Sequence, residues 1–346
     1  MISQKYTEGF QTPDRSDDEN KKVCGLCPRA CRTDRTSGKR GFCGMAENAV
    51  VARAGLHMWE EPCISGKNGS GTVFFCGCNL KCVFCQNREI SASLNLNASE
   101  NDTIPAEVSL KEWRRLKSEG YNGPARVSVE PGELAEIFLN LEKLGAENIN
   151  LVTPTHFSDR IASAIDIARD IGLKLPIVYN CGGYESVEAL RRLEGRIDVW
   201  MPDLKYYSDE LAIRYSNAPH YFESASAALK EMVRQTGGNN IFDERGMMKK
   251  GVIVRHMILP GHTADSKHIL RFLHENYNNA VYISIMNQFT PAGDLKDHPE
   301  IDRKLTEDEY RRVVDFAVRI GIEQGFIQEG DTANESFIPA FDGTGI

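Results

Sequence analysis

Nine of the ten cysteines lie between Cys24 and Cys85, and the remaining one is Cys181. Thiols crowded at short spacings serve metals or catalysis more readily than disulfides in a reducing compartment. The first group is Cys24, Cys27, Cys31 and Cys43, in CGLCPRACRTDRTSGKRGFCGM. Four thiolates at such spacings can close around a structural zinc, or around iron as a single ion or a cluster. Spacing does not choose between these metals. The second group is Cys78, Cys82 and Cys85, in CGCNLKCVFCQN, with Phe84 immediately before the last thiol. Three thiolates can hold a [4Fe–4S] cluster and leave one iron open to a further ligand, the feature that separates reactive from closed sites. Three cysteines with a distant histidine on zinc is the alternative, and the aromatic at 84 favours the cluster. Cys76 shares a strand face with Cys78 and is sterically eligible as a fourth ligand. Cys63, Cys76 and Cys181 otherwise read as small buried hydrophobes.

These motifs resemble a known family. C-x3-C-x2-C with an aromatic before the last cysteine, on a loop that follows a strand, resembles the signature of radical S-adenosylmethionine (SAM) enzymes. The longer series is CxLCPRxC…GxCG, EEPCISG, GSGTVFF and CNLKCVFCQN. It continues through NINLVTPTHF (148–157), PIVYNCGGYE (176–185), IDVWMPDLKY (197–206) and VIVRHMILPG (252–261). It is similar to the PflX-like group related to pyruvate formate-lyase activating enzymes, over about residues 23–341. The resemblance implies reductive cleavage of SAM at a three-cysteine [4Fe–4S] cluster, giving a 5′-deoxyadenosyl radical. It also implies a low-potential electron donor such as flavodoxin or ferredoxin, and a substrate that is a glycyl radical enzyme, another protein or a small molecule. An iron–sulfur or zinc protein for electron transfer or scaffolding, without SAM cleavage, is the competing reading. Three cysteines and the DxK of Asp203 and Lys205 favour the enzyme.

Elements that position these groups follow from periodicity. Short β-branched runs at Thr72–Cys76, Asn148–Thr153, Pro176–Asn180, Asp198–Met201, Gly251–Leu259 and Val281–Met286 predict strands. Amphipathic helices are expected at Pro131–Leu144, Arg160–Ile171, Ser186–Leu193, Ser208–Ser216, Ala225–Gln235, Ser266–Asn276 and Thr306–Ile320. Such alternation predicts a parallel α/β sheet. By resemblance it is the partial (β/α)6 TIM-type barrel of radical SAM enzymes, preceded by a small Cys-rich metal knuckle. The expected divisions are a flexible tail at 1–22, the Cys-rich region at 23–62, the barrel at 63–290 and a C-terminal helix and tail at 291–346. Residues 92–124 read as an insertion decorating the surface, with a helix in SLKEWRRLKSEG capped by Ser109 and Glu112. Phe337, Ile338, Pro339 and Phe341 read as a docked terminal segment.

Reactive groups of such barrels collect at strand C-terminal ends. Thr153 and Thr155 end the second expected strand, where activating enzymes offer backbone groups to the SAM amino group; this chain lacks their Gly-Gly-Glu pattern. Asn180 ends the third. Asp203 and Lys205 follow the fourth, matching the DxK that contacts SAM. Arg255 and His256 lie in the fifth, and alternation lets only one of them face the interior. His156, His256 and His268 read as ordinary polar groups. The 41 basic and 49 acidic side chains leave a net charge of −8. That balance argues against broad nucleic-acid or anionic-membrane binding. No apolar run reaches the roughly 20 residues of a membrane span, and the polar start predicts a cytoplasmic protein.

Overall fold

The computed structural model describes residues 23–91, 107–291, 295–328 and 338–346. The expected 1–22 tail, residues 92–106 of the insertion and Phe337 lie outside them. Strands are β1 (Ala49–His57), β2 (Ser70–Phe75), β3 (Val108–Ser109), β4 (Val127–Val129), β5 (Ile149–Val152) and β6 (Ile177–Cys181). They continue with β7 (Val199–Pro202), β8 (Ile241–Phe242), β9 (Met248–Met257), β10 (Tyr282–Met286) and β11 (Gly325–Ile327). Strands β2, β5, β6, β7, β9, β10 and β11 pair in parallel in that order. Helices cover the outer face of this open sheet, with Pro131–Lys143 packed on Ser158–Ile171 and Thr263–Tyr277 on Glu307–Ile320. The expected partial barrel is therefore present, and all six expected strands appear within a few residues of their bounds.

Two additions complete it. Strand β1 runs antiparallel to β2 on one side and to β4 on the other. At the other end β11 extends the parallel sheet beyond β10. The chain from 107 to 124 is mostly exposed or half-buried, but two of its side chains reach the core. Its helix, Leu110–Ser118, starts at Ser109, whose hydroxyl accepts the Glu112 N–H at 3.2 Å. Trp113 and Leu110 of that helix are only 2% exposed. The C-terminal segment docks as expected, and on this same region. Gly343 N–H donates to Ala52 O, Ala54 N–H to Thr344 O and Ala125 N–H to Phe341 O. A Cβ on Gly343, which sits at φ +69°, would meet the Trp113 ring at 2.1 Å. Leu110 and Trp113 are buried because β1, this helix and the C-terminal segment cover one another's apolar surface.

Candidate functional site

Strand β2 is buried along its whole length and ends at a turn that aims three cysteines. Gly77 takes φ +80°, and a Cβ there would stand 2.5 Å from Met45 Cγ and 2.7 Å from the Cys43 carbonyl oxygen. No other residue fits both the left-handed backbone and this gap. Cys78, Cys82 and Cys85 follow and line one wall of a cavity of about 560 Å³. Phe84 also lines it, 4% exposed and edge-on to Phe289 at 5.6 Å, a contact that anchors the loop.

Each of the three sulfurs has a polar neighbour. Ser216 donates to Cys82 Sγ at 2.9 Å, the Leu80 N–H reaches Cys78 Sγ at 3.4 Å, and Cys85 Sγ lies 3.1 Å from Ser91 Oγ. Burial pushes the Cys78 thiol up to about 12 and raises Cys82 as well, the Lys205 ammonium opposing it there. A bound cation reverses that preference, because it supplies the positive charge the buried thiolates lack. Among the described residues, no three Cys, His, Asp or Glu side chains converge at the spacing of a single ion. Thiols spread along a cavity wall, with donors at their sulfurs, fit a multi-iron group with an open side. Cys76, Cys63 and Cys181 are buried, as expected for inert thiols, and burial pushes Cys76 up to about 12.

Opposite the thiols lies a chain of charges contributed by five segments. Asp203 accepts from Lys205 Nζ at 2.5 Å and from Arg255 at 3.0 Å. Arg255 also reaches Asn180 Oδ1 at 2.7 Å and Glu60 at 3.2 Å. Glu60 accepts in addition from Asn150 at 3.0 Å. Burial disfavours the Asp203 carboxylate, but Lys205 and Arg255 outweigh it and hold its pKa below the usual range. Burial raises Glu60 and Glu61, with Arg255 opposing in both. Thr153, Asn180, Asp203, Lys205 and Arg255 all line the cavity. Thr153 sits at φ +60°, an uncommon backbone for a β-branched residue and a mark of a strained site.

Thr155 is not brought there. Its hydroxyl is buried and donates to Glu185 at 2.6 Å, because the chain coils into a short 3₁₀ turn over Thr155–Phe157 that carries the side chain behind the strand ends. The three histidines are ordinary polar groups. His156 bonds the Cys76 carbonyl, His256 the Leu204 carbonyl, and His268 stacks on Tyr207. Glu60, Glu61 and Tyr221 were not singled out from the sequence. EEPCISG contained the signal for the first two, as an acidic pair beside a helix-starting proline. Tyr221 carries no sequence signal. Its hydroxyl accepts the Lys205 N–H at 2.9 Å and lies 2.8 Å from the Gly182 carbonyl, pinning the loop that presents Asp203 and Lys205.

The N-terminal cysteines lie near one another outside this cavity, although no three of them converge at the spacing of a single ion. A Cβ on Gly41 would meet Cys31 Sγ at 3.2 Å and Cys43 Sγ at 3.7 Å. Cys31 is hydrogen-bonded to Cys24; bonds from Thr33, Phe42 and Cys24 outweigh burial and lower its pKa. Burial pushes Cys27 up to about 12. Arg35 threads from this knuckle into the barrel, its guanidinium donating to Ala46 O, to His156 O at 2.6 Å and, weakly, to Cys24 Sγ at 3.8 Å.

Glu185 is a buried carboxyl beneath the cavity, near Cys181, bonded to Thr155 and to Tyr179. Burial raises its pKa from 4.5 to about 7. The folded protein therefore holds a proton there that the unfolded chain releases. Its contribution to stability is complete below pH 4.5 and is lost as pH rises through about 7. Glu185→Gln keeps the neutral shape. It is expected to gain on the parent by about 1.4 kcal/mol for each pH unit between those values. Urea unfolding at pH 5 and pH 8 checks this: an equal difference at both would place the carboxylate in a charged state throughout.

The sequence model of the radical SAM superfamily matches residues 72–273. An uncharacterized protein of Methanocaldococcus jannaschii is 29% identical over 305 residues, which are 87% of this chain and 76% of that protein. Among solved structures, Streptococcus suis SuiB bound to S-adenosylmethionine is similar with a TM-score of 0.43 and 13% identity, over 74% of this chain and 49% of that one. HydG, a maturase of the [FeFe]-hydrogenase, gives 0.44 and 12%, over 73% and 50%. A domain of pyruvate-formate lyase-activating enzyme from Bacteroides vulgatus gives 0.36 and 11%, over 50% and 91%. The chain thus spans about half the length of SuiB and HydG. The superfamily match begins within β2, takes in the loop of the three cysteines and ends inside the Thr263–Tyr277 helix. Covering more than half of the sequence, it establishes that this chain belongs to the radical SAM superfamily.

Proposed function

We propose that this protein reductively cleaves SAM at a [4Fe–4S] cluster held by Cys78, Cys82 and Cys85. The observation that supports this reading is one cavity lined at once by those three thiols and by the Asp203, Lys205, Arg255 and Asn180 network. The cluster, when bound, supplies the electron that breaks the sulfonium bond and yields methionine and a 5′-deoxyadenosyl radical. The chain's own groups have separate tasks. Lys205 and Arg255 offer positive charge to the carboxylate of SAM, and Asp203 holds both cations in place. Thr153 and Asn180 offer polar contacts to its amino end. Phe74, Phe84 and Leu80 give the cavity an apolar wall that limits water around the radical. Cys24, Cys27, Cys31 and Cys43 hold a second metal, zinc or iron, in this reading.

The PflX-like motif order supports a role akin to the pyruvate formate-lyase activating enzymes. In that role the chain acts in the cytoplasm on a glycyl radical enzyme or another substrate, with flavodoxin or ferredoxin as donor. The test is anaerobic incubation of the iron- and sulfide-reconstituted protein with SAM and dithionite. Formation of 5′-deoxyadenosine and methionine in equal amounts is expected. A brown, iron-loaded protein that leaves SAM intact would favour the electron-transfer or scaffold reading.

A further inference from the structure

Residues 24–43 carry five basic side chains (Arg29, Arg32, Arg35, Lys39 and Arg40) against Asp34 alone, a net of +4 in a chain of net −8. Four thiolates on a divalent ion would contribute −2 and leave the segment at about +2. Arg35 is buried, and Arg40 pairs with Glu107 at 3.1 Å. Arg32 and Lys39 are exposed and form no ion pair among the described residues. This positive face adjoins the cluster loop. Cys78 N–H donates to the Cys43 carbonyl at 3.3 Å, and Arg29 Nε donates to Asn79 O at 2.8 Å. The Arg29 guanidinium lies 4.0 Å over the Phe42 ring, and Lys81 reaches the Cys78 carbonyl at 3.3 Å. None of residues 24–43 lines the cavity. The knuckle therefore meets the three-cysteine loop from outside and leaves the cavity mouth free.

We propose that this face is the electron inlet of the barrel cluster. An acidic one-electron carrier protein docks on Arg32 and Lys39, and its electron crosses from the knuckle to the cluster loop over the Cys43–Cys78 hydrogen bond. The proposal rests on the SAM chemistry proposed above. The reduced carrier loses one electron and the cluster gains one; no atom or proton changes hands. Charge selects the orientation, because the rest of an acidic chain repels an acidic carrier while this segment attracts it. A single hydrogen bond joins a residue of the knuckle's four-cysteine set to a residue of the cluster's set, so the path between them has no through-space gap. Carrier and substrate can then be bound together, each on its own side of the loop.

Flavodoxin, an acidic flavin carrier, is the probe, titrated calorimetrically into the full reconstituted chain. Its affinity is expected to fall about tenfold between roughly 20 and 200 mM salt, as the charge attraction is screened. Arg32→Glu with Lys39→Glu is expected to weaken binding about tenfold or more at low salt, and the milder Arg32→Gln with Lys39→Gln to do so in part. Cytochrome c, a basic carrier, is expected not to bind. Bleaching of the cluster absorbance by photoreduced flavodoxin should slow in step with affinity. Unchanged affinity in both double variants, or wild-type affinity indifferent to salt, would overturn the inlet. Should the reversal variant fail to fold, the glutamine pair and the salt series still decide. Dithionite needs no docking face, so wild-type protein separates the two readings. Absence of 5′-deoxyadenosine with dithionite would overturn the SAM chemistry. Turnover with dithionite beside salt-insensitive flavodoxin binding would overturn the inlet alone.

Discussion

Alanine at Cys78, Cys82 and Cys85 together is expected to remove the barrel cluster and abolish SAM cleavage completely. The three sulfurs line the cavity wall with Ser216, the Leu80 N–H and Ser91 as their polar neighbours. No thiol close by in sequence can replace them: Cys76 is buried, its sulfur outside the cavity. Iron and sulfide analysis beside an anaerobic 5′-deoxyadenosine assay checks this. SAM cleavage retained by the triple variant would refute the ligand assignment. The same protein also tests the second site. Cys24, Cys27, Cys31 and Cys43 belong to a separate segment and should still bind about one metal centre per chain, as a self-contained four-thiolate site does. Loss of all metal from the triple variant would mean that the two groups depend on one another. Their contact through Cys43 and Cys78 makes that outcome informative.

The second large effect concerns Asp203, and it is expected to exceed that of Lys205. Lys205→Ala removes one charge-assisted contact, worth about 1.5–3 kcal/mol, and should weaken SAM binding roughly 10- to 150-fold. The Asp203 carboxylate that remains still has Arg255 at 3.0 Å. Asp203→Ala instead strands two cations: the Lys205 and Arg255 side chains are only 19% and 16% exposed. An uncompensated charge at such a site costs about 3–5 kcal/mol, so this variant should lose stability as well as SAM affinity. Arg255 keeps Glu60 as a partner, so the expected loss lies toward the lower bound. SAM titration followed by electron paramagnetic resonance, beside urea unfolding and iron analysis, separates the effects. Iron content should match the parent in both variants. Unchanged SAM affinity in both would remove the pair from the site, and loss of the cluster would reassign it to holding the loop.

Much of the barrel was legible because parallel strands buried on both faces leave apolar β-branched runs, and helices over them leave a 3.6-residue period. The Ile149–Val152 and Val199–Pro202 strands are buried at every residue, and their runs were read almost to their ends. Strand β1 was missed although it is the sheet's hinge to β4. Its AVVARAGLH mixes small, charged and apolar residues, since its two neighbours and the C-terminal segment provide its cover. The Leu110–Ser118 helix was read as a surface helix, and most of it is exposed; what was not foreseen is that Leu110 and Trp113 anchor it in the core. Its polar face dominates the composition, and the Trp113 ring packs against Gly343, more than two hundred residues away.

The sequence by itself singled out the candidate ligand sets, because thiolate chemistry needs a particular element at short spacing and spacing is a one-dimensional property. It also determined which strand ends bear polar groups, through alternation along each run. Only the tertiary structure decided which of those groups meet. Arg255 joins Asp203, Asn180 and Glu60 across segments that lie up to 195 residues apart in sequence. Thr155 turns away although it sits two positions from Thr153, because a 3₁₀ turn follows the strand. The knuckle and the cluster loop meet through hydrogen bonds from Cys78 N–H to the Cys43 carbonyl and from Arg29 to the Asn79 carbonyl. Such contacts depend on crossover geometry and on close packing around a left-handed glycine, and neither is expressed in the order of residues along the chain.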